Sequence, residues 1–228
     1  MKILIIGAMK EEITFLIEKL ENLNIKEINK FTFYKGNLSN NDIILVESGI
    51  GKVMSGIIIA TAVNNFENID KIINIGVAGG YNDVSIGDIV IGKSCVYGDC
   101  DVTSFSKYRY GQIPRFPFLF EPDQMLLNEA TKLNAKLGVI CTMDRFVDSK
   151  EYVSNLVNKY FYDLDIKCFD MESAAFAQTA HFYGIDFISI RAISDVIGSA
   201  NPLDSYDNNL ELACRNSNLF LLDLLKKI

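Results

Sequence analysis

Three acidic residues stand where short apolar runs give out. Glu12 follows Lys2-Ile3-Leu4-Ile5-Ile6, Glu172 lies in Asp170-Met171-Glu172-Ser173-Ala174, and Asp195 closes Phe187-Ile188-Ser189-Ile190-Arg191-Ala192-Ile193-Ser194-Asp195. Ligands of open α/β sheets bind at the carboxyl edge of the strands. Carboxylates brought there by three strands read as an acid-base site, with Arg191 beside it. Each residue also has a plainer reading: Arg191 and Asp195 as a buried ion pair, Glu12 and Glu172 as acids favoured by a helix dipole. The sole histidine, His181, sits mid-helix with neither a second His nor an HExxH pattern. It reads as structural or surface, and catalysis falls to carboxylates.

The elements that must hold these residues follow from periodicity. Strand-like runs at Lys2-Ile6, Ile43-Glu47, Lys71-Ile75, Ile89-Ile91, Gly138-Cys141, Lys167-Met171 and Phe187-Arg191 alternate with helical segments. Such alternation predicts a mainly parallel sheet covered by helices on both faces, a three-layer α/β/α sandwich. Phe31 to Leu38 followed by Ile43 to Val46 reads as an inserted hairpin, which makes the sheet mixed. The clearest helix begins near Lys10, where Ile13, Leu16, Ile17, Leu20 and Leu23 form one apolar stripe. At about 100° per residue that stripe centres roughly 175° from Glu11 but only about 75° from Glu12, so Glu11 faces solvent and Glu12 borders the core. Further helices are expected at Lys52 to Phe66, Asp123 to Lys136, Lys150 to Lys159, Glu172 to Tyr183 and Asn208 to Lys227. Glycines at 49, 51, 76, 79 and 80 read as strand ends where backbone turns or approaches a ligand. The long loop from Gly98 to Pro122 carries six aromatic rings, which points to a subunit interface or to packing on its own domain.

Composition narrows the classes. At 228 residues one domain spanning 1–228 suffices. A net charge of -7 disfavours a phosphate backbone, so no nucleic-acid partner is expected. Apolar runs are interrupted well before the roughly 20 residues of a membrane span, and Met1 leads straight into the first strand without a signal-like region. A cytoplasmic protein without membrane attachment is expected. Five scattered cysteines lack zinc-finger spacing and read mostly as buried free thiols.

Gly7-Ala8-Met9-Lys10-Glu11-Glu12, Ser48-Gly49-Ile50-Gly51-Lys52, Gly79-Gly80, Gly87-Asp88-Ile89-Val90, Asp101-Val102-Thr103, Tyr110-Gly111-Gln112, Met171-Glu172 and Arg191-Ala192-Ile193-Ser194-Asp195 stand in an order that resembles the 5′-methylthioadenosine/S-adenosylhomocysteine nucleosidases over essentially the whole chain. The resemblance implies a nucleoside phosphorylase-like fold, a homodimer, and hydrolysis of the N-glycosidic bond of 5′-methylthioadenosine and S-adenosylhomocysteine, with 5′-deoxyadenosine a further substrate, in methionine and purine salvage. It implies no metal and no organic cofactor. It assigns Asp195 as the acid at adenine N7, Glu12 as the base that holds the attacking water with help from Arg191, and Glu172 as the acceptor of the ribose hydroxyls above Met171. Phe146 and Val147 match the adenine-stacking and edge-reading stretch, and Ser194 and Val77 also fall in the site. Met9, Ile50 and Tyr206 match the 5′-thio slot, closed by Val102, Phe105 and Pro114 of a partner subunit. Val77 departs from the family, which often has a small hydroxyl residue there.

The chemistry suits these residues, because C–N cleavage builds positive charge on ribose and negative charge on the purine and so needs an acid and a base. Alternatives are a phosphate-dependent purine nucleoside phosphorylase, an aminodeoxyfutalosine nucleosidase, and a non-catalytic nucleoside sensor. Phosphate would meet Glu12 at its own subsite, and a sensor would be expected to lack one of the three acids.

Overall fold

In a computed structural model of the chain, residues 1–199 and 202–228 are described, without the side chains of 202–204. The run Lys2–Gly7 forms β1, whose alternate side chains feed two different layers. Ile3 and Ile5 join one apolar cluster, while Leu4 and Ile6 join another on the opposite face. A strand covered on both faces must be apolar throughout, which explains the unbroken Ile-Leu-Ile-Ile.

In chain order the elements are β1, α1 (Lys10–Ile17), β2 (Glu21–Ile28), β3 (Phe31–Leu38), β4 (Asn41–Glu47), α2 (Lys52–Asn65), β5 (Lys71–Gly80), β6 (Ile89–Tyr97), α3 (Gln124–Ala130), β7 (Lys136–Thr142), α4 (Lys150–Tyr160), β8 (Ile166–Asp170), α5 (Ser173–Tyr183), β9 (Asp186–Val196) and α6 (Pro202–Leu225). The strands make one mixed sheet ordered β2-β3-β4-β1-β5-β8-β7-β6-β9, and β9 returns to pair with β5 as well. The second half of the sheet therefore curls until its last strand lies parallel to β5, with Ile75 opposite Ile190 and Gly76 opposite Arg191. α1, α3 and α6 pack on one face. α2 and α5 pack on the other, and α4 covers β7 and β8 in a third cluster.

The mixed α/β architecture with helices on both faces agrees with the sequence reading, and the hairpin is formed by β3 and β4 in antiparallel register. Several boundaries differ for physical reasons. The apolar stripe read as extending through Leu23 ends at Ile17: Leu20 still packs on the core, but Leu23 is exposed in β2. That strand, Glu-Asn-Leu-Asn-Ile-Lys-Glu-Ile, is polar and exposed and exists only through pairing with β3. The expected helix from Asp123 to Lys136 stops at Ala130, because β7 already starts at Lys136 to pair with Val90 on β6. Asp123 is its cap, accepting from the Leu126 N–H. Gly79 and Gly80 close β5 as expected of a strand end, whereas Gly76 lies inside the strand. Likewise β9 does not end at Arg191 but continues to Val196.

Candidate active site

Glu12 reaches the sheet edge from the first turn of α1. Its neighbour Glu11 is exposed, as the helical geometry predicts, whereas Glu12 is buried. Both oxygens of the Glu12 carboxylate are engaged, with one acceptor position of Oε1 left: Oε2 accepts from the Ala8 N–H at 2.6 Å and the Met9 N–H at 3.1 Å, and Oε1 accepts from the Val77 N–H at 3.0 Å. Burial raises its pKa above the ordinary value, against the lowering by the Arg191 charge and those backbone bonds. Glu172, the residue before α5, accepts from the Gly51 N–H at 2.9 Å through Oε1. Gly51 can present that N–H because it holds φ 96°, a conformation that disfavours side chains. Burial raises the Glu172 carboxyl too, partly offset by Arg191.

Asp195 differs from both. Its Oδ1 accepts from the Ser194 hydroxyl at 2.8 Å, while Oδ2 is buried without a hydrogen-bond partner among the described residues. Burial raises its pKa, with the Ser194 hydroxyl pulling the other way. An unpaired buried carboxyl oxygen is costly as an anion and is relieved by carrying a proton.

Glu12, Glu172 and Asp195 line one cavity of about 270 Å³. Its remaining wall is largely apolar and includes the other expected contacts: Met9, Ile50, Val77, Phe146, Val147, Met171, Ser194 and Tyr206. The Phe146 and Tyr206 rings meet edge to face at 5.8 Å, and the Tyr206 hydroxyl approaches Met9 Sδ at 3.4 Å. Val102, Phe105 and Pro114 do not line this chain's cavity. Among the described residues, no three His, Cys, Asp or Glu side chains are grouped to hold a metal ion.

Arg191 is placed differently from the sequence reading. It lies in the middle of β9, fully buried beneath the cavity lining rather than at a strand end. Its ion pair is not with Asp195: Nη2 lies 2.6 Å from Asp170 Oδ2 and 3.6 Å from Glu172 Oε2. A register irregularity where Gly79 faces Asp195 breaks the two-residue alternation between positions 191 and 195, so they do not share a partner. Burial disfavours the guanidinium charge, but Asp170, Glu172 and Glu12 outweigh it and hold Arg191 protonated.

Around Arg191 lies a polar network to which the sequence reading gave no role. Asn74 Oδ1 accepts from Nη2 at 2.6 Å, and the Ser173 hydroxyl accepts from Nε at 3.1 Å and meets the Ser189 hydroxyl at 2.7 Å. A polar Asn inside the apolar run Lys71-Ile72-Ile73-Asn74-Ile75 was the available signal. Gly76 is explained here as well: a Cβ there would overlap Arg191 Nη1 and lie 2.5 Å from Glu12 Oε1.

Most rings of the 98–122 loop pack on their own chain: Tyr110 stacks on Tyr160 at 3.9 Å, and Phe118 lies 6.4 Å from Phe161. Phe105, at 64% exposure, is the exception that remains open to solvent. The cysteines are free, and Cys95, Cys141, Cys168 and Cys214 are buried. His181 is exposed on α5 with its ring edge toward Phe116 and Phe120.

The chain matches the phosphorylase superfamily over residues 2–226. It is 38% identical over 233 residues to the 5′-methylthioadenosine/S-adenosylhomocysteine nucleosidase of Hydrogenovibrio crunogenus, covering 99% of this chain and 98% of that one. Among solved structures it is similar to the nucleosidase of the same specificity from Streptococcus pneumoniae in complex with 8-aminoadenine, with a TM-score of 0.93, 35% identity and 100% of each chain covered. It is also similar to a futalosine hydrolase mutant of Helicobacter pylori, with a TM-score of 0.91 and 29% identity over 100% of this chain and 99% of the other.

Proposed function

This chain belongs to the phosphorylase superfamily and, within it, to the 5′-methylthioadenosine/S-adenosylhomocysteine nucleosidases, and from that premise we propose how its own carboxylates divide the work of hydrolysing an N-glycosidic bond. Asp195 protonates adenine N7 as the bond to ribose breaks. The observation that carries this is its buried, unpaired Oδ2 at the cavity wall, an oxygen suited to hold a proton and pass it to a ring nitrogen. Glu12, ionised, accepts the proton of the attacking water, and Glu172 accepts the ribose hydroxyls and faces the positive charge that develops on the sugar. Phe146 stacks on adenine, Val147 offers its backbone to the base edge, and Met171 packs under the ribose. Met9, Ile50 and Tyr206 form the slot for the thioether substituent, and Val77 makes the pocket drier where a hydroxyl residue would contact water or ribose.

Water rather than phosphate is the nucleophile. A phosphate at the α1 N-terminus would need free donors there, yet the Ala8, Met9 and Val77 N–H groups are already bonded to Glu12. A buried carboxylate stands where the anion would sit. The apolar slot also suits a methylthio group, and the futalosine hydrolase likeness, at the lower identity, marks a related specificity.

The reading extends to a homodimer in which Val102, Phe105 and Pro114 of a second copy close the 5′ end of the slot, to residues 1–228 acting as one nucleosidase domain, and to a cytoplasmic setting. It needs no metal or organic cofactor. Among the described residues, no helix is long and apolar enough to cross a membrane.

The test is to incubate the protein with 5′-methylthioadenosine, with and without phosphate, and to identify the sugar product. Free 5-methylthioribose and adenine are expected in both. Obligatory formation of a sugar 1-phosphate would overturn the hydrolytic reading. S-adenosylhomocysteine, 5′-deoxyadenosine and aminodeoxyfutalosine in the same assay rank the substrates.

A further inference from the structure

We propose that Asp170 is a positioning residue for this reaction: as the carboxylate closest to Arg191, it divides one buried positive charge between the ribose acid Glu172 and the water-side acid Glu12. The proposal rests on the carboxylate roles given above and adds a residue that those roles do not include.

Asp170 ends β8, and its side chain is held too tightly to serve a substrate. Thr142 Oγ1 donates to Oδ1 at 2.5 Å, and the Ser173 N–H donates to Oδ2 at 3.0 Å, with the Ser173 hydroxyl donating to the same oxygen. The side chain is 1% exposed, and its remaining strong contact is Arg191 Nη2 at 2.6 Å. Glu172 lies farther from the same nitrogen, at 3.6 Å. Without the Asp170 charge, Glu172 would be the carboxylate nearest the guanidinium, which Asn74 and Ser173 still hold in place, and would be drawn into a permanent ion pair with it.

The charges are unequal in number: the carboxylates of Glu12, Asp170 and Glu172 are buried around one arginine. The titratable groups facing Asp170 are Cys168 on its own strand, Cys95 on β6, Cys141 on β7, Glu172 before α5 and Arg191 on β9. Glu12 feels Arg191 from the α1 side. The thiols are buried and raised, so they stay neutral and the carboxyls and the guanidinium set the field.

Asp170→Asn keeps the shape and removes the charge. With Asp170 neutral, the Arg191 charge falls wholly on Glu172 and Glu12 and favours their ionised forms. The acid limb of the pH profile with 5′-methylthioadenosine is therefore expected to move down by about one pH unit, and kcat to fall about tenfold or more while KM changes by less than about threefold. Asn74→Asp places a second carboxylate on the same nitrogen and is expected to move the limb upward. Ser189→Ala, which removes a hydroxyl of the network without changing its charge, is expected to leave the limb in place. Carbon-13 carboxyl spectra, with the Glu172 signal assigned by Glu172→Gln, read the same shifts without turnover.

An unmoved limb and an unmoved Glu172 titration in both Asp170→Asn and Asn74→Asp would overturn the proposal, as would an equal shift in Ser189→Ala. If Asp170→Asn does not fold, Asn74→Asp decides. A wild-type protein that releases no adenine would defeat the functional reading, and the carboxyl spectra would still decide the role of Asp170.

Discussion

Asp195 and Glu12 are both buried carboxyls with raised pKa values, yet their hydrogen bonds differ in a way that suits opposite tasks. Glu12 accepts three backbone N–H bonds, which favour its anion and suit a base. Asp195 accepts one hydroxyl and leaves an oxygen bare, which favours a proton and suits an acid. Asp195→Asn should therefore reduce kcat by about 10²–10⁴-fold while adenine still binds in a calorimetric titration; near-normal turnover would remove Asp195 from its role. Because the base must be ionised and the acid protonated, kcat/KM should be bell-shaped in pH. Its acid limb should lie above the ordinary glutamate value of 4.5, since burial raises Glu12. A limb at or below that value would contradict the placement of Glu12. The three acids were legible as chain positions because each follows an apolar run. Their division of labour was implied only by the resemblance of the motifs; the physical reason for it was not legible, since it depends on backbone donors from Ala8, Val77 and Gly51 that lie up to 121 residues away.

At the level of elements, β5 and β9 carry the site together. They run parallel through ten paired positions, and the site lies where their register becomes irregular. Gly76 is the place where β5 must carry no side chain, because Glu12 and Arg191 both occupy the space above it. Gly76→Ala should displace both groups, lowering kcat/KM by about 10²-fold with the far-ultraviolet circular dichroism of the native fold retained. Full activity in that variant would show that neither group needs its present position. The ends of these strands were the least legible part of the fold. Arg191, Ser194 and Asp195 are polar and read as the close of a strand, but each finds a buried partner or the cavity, so the strand continues to Val196. The error at β2 ran the other way: its only apolar alternation, Leu23 and Ile25, stays exposed, and only the edge of β3 makes these residues a strand.

For the whole molecule, the exposed Phe105 beside an otherwise self-packed aromatic loop is the residue to test for a partner. Phe105→Asp should weaken a homodimer in sedimentation and raise KM for 5′-methylthioadenosine about tenfold or more; an unchanged oligomeric state and KM would detach this loop from the site. The buried acids also set how stability varies with pH. Glu12, Glu172 and Asp195 have folded-state pKa values above their ordinary values of 4.5, 4.5 and 3.8. The folded protein therefore keeps protons that the unfolded chain has released. Their contribution to stability is present below those ordinary values and is lost as pH rises through the raised ones, at most about 1.4 kcal/mol per pH unit for each proton. Melting temperatures should fall from mildly acidic pH toward neutrality, and Glu172→Gln should flatten that slope; an unaltered slope would show that Glu172 is not a source of it. The sequence alone determined the layered α/β class, the order of its main elements and the places where acids follow apolar runs, because apolar period and motif order are local properties of the chain. Only the tertiary structure decided that Arg191 belongs to Asp170 rather than Asp195, and that one Asp195 oxygen is left bare. Burial, register shifts and hydrogen bonds between distant strands arise when the sheet closes, and no stretch of sequence contains both sides of them.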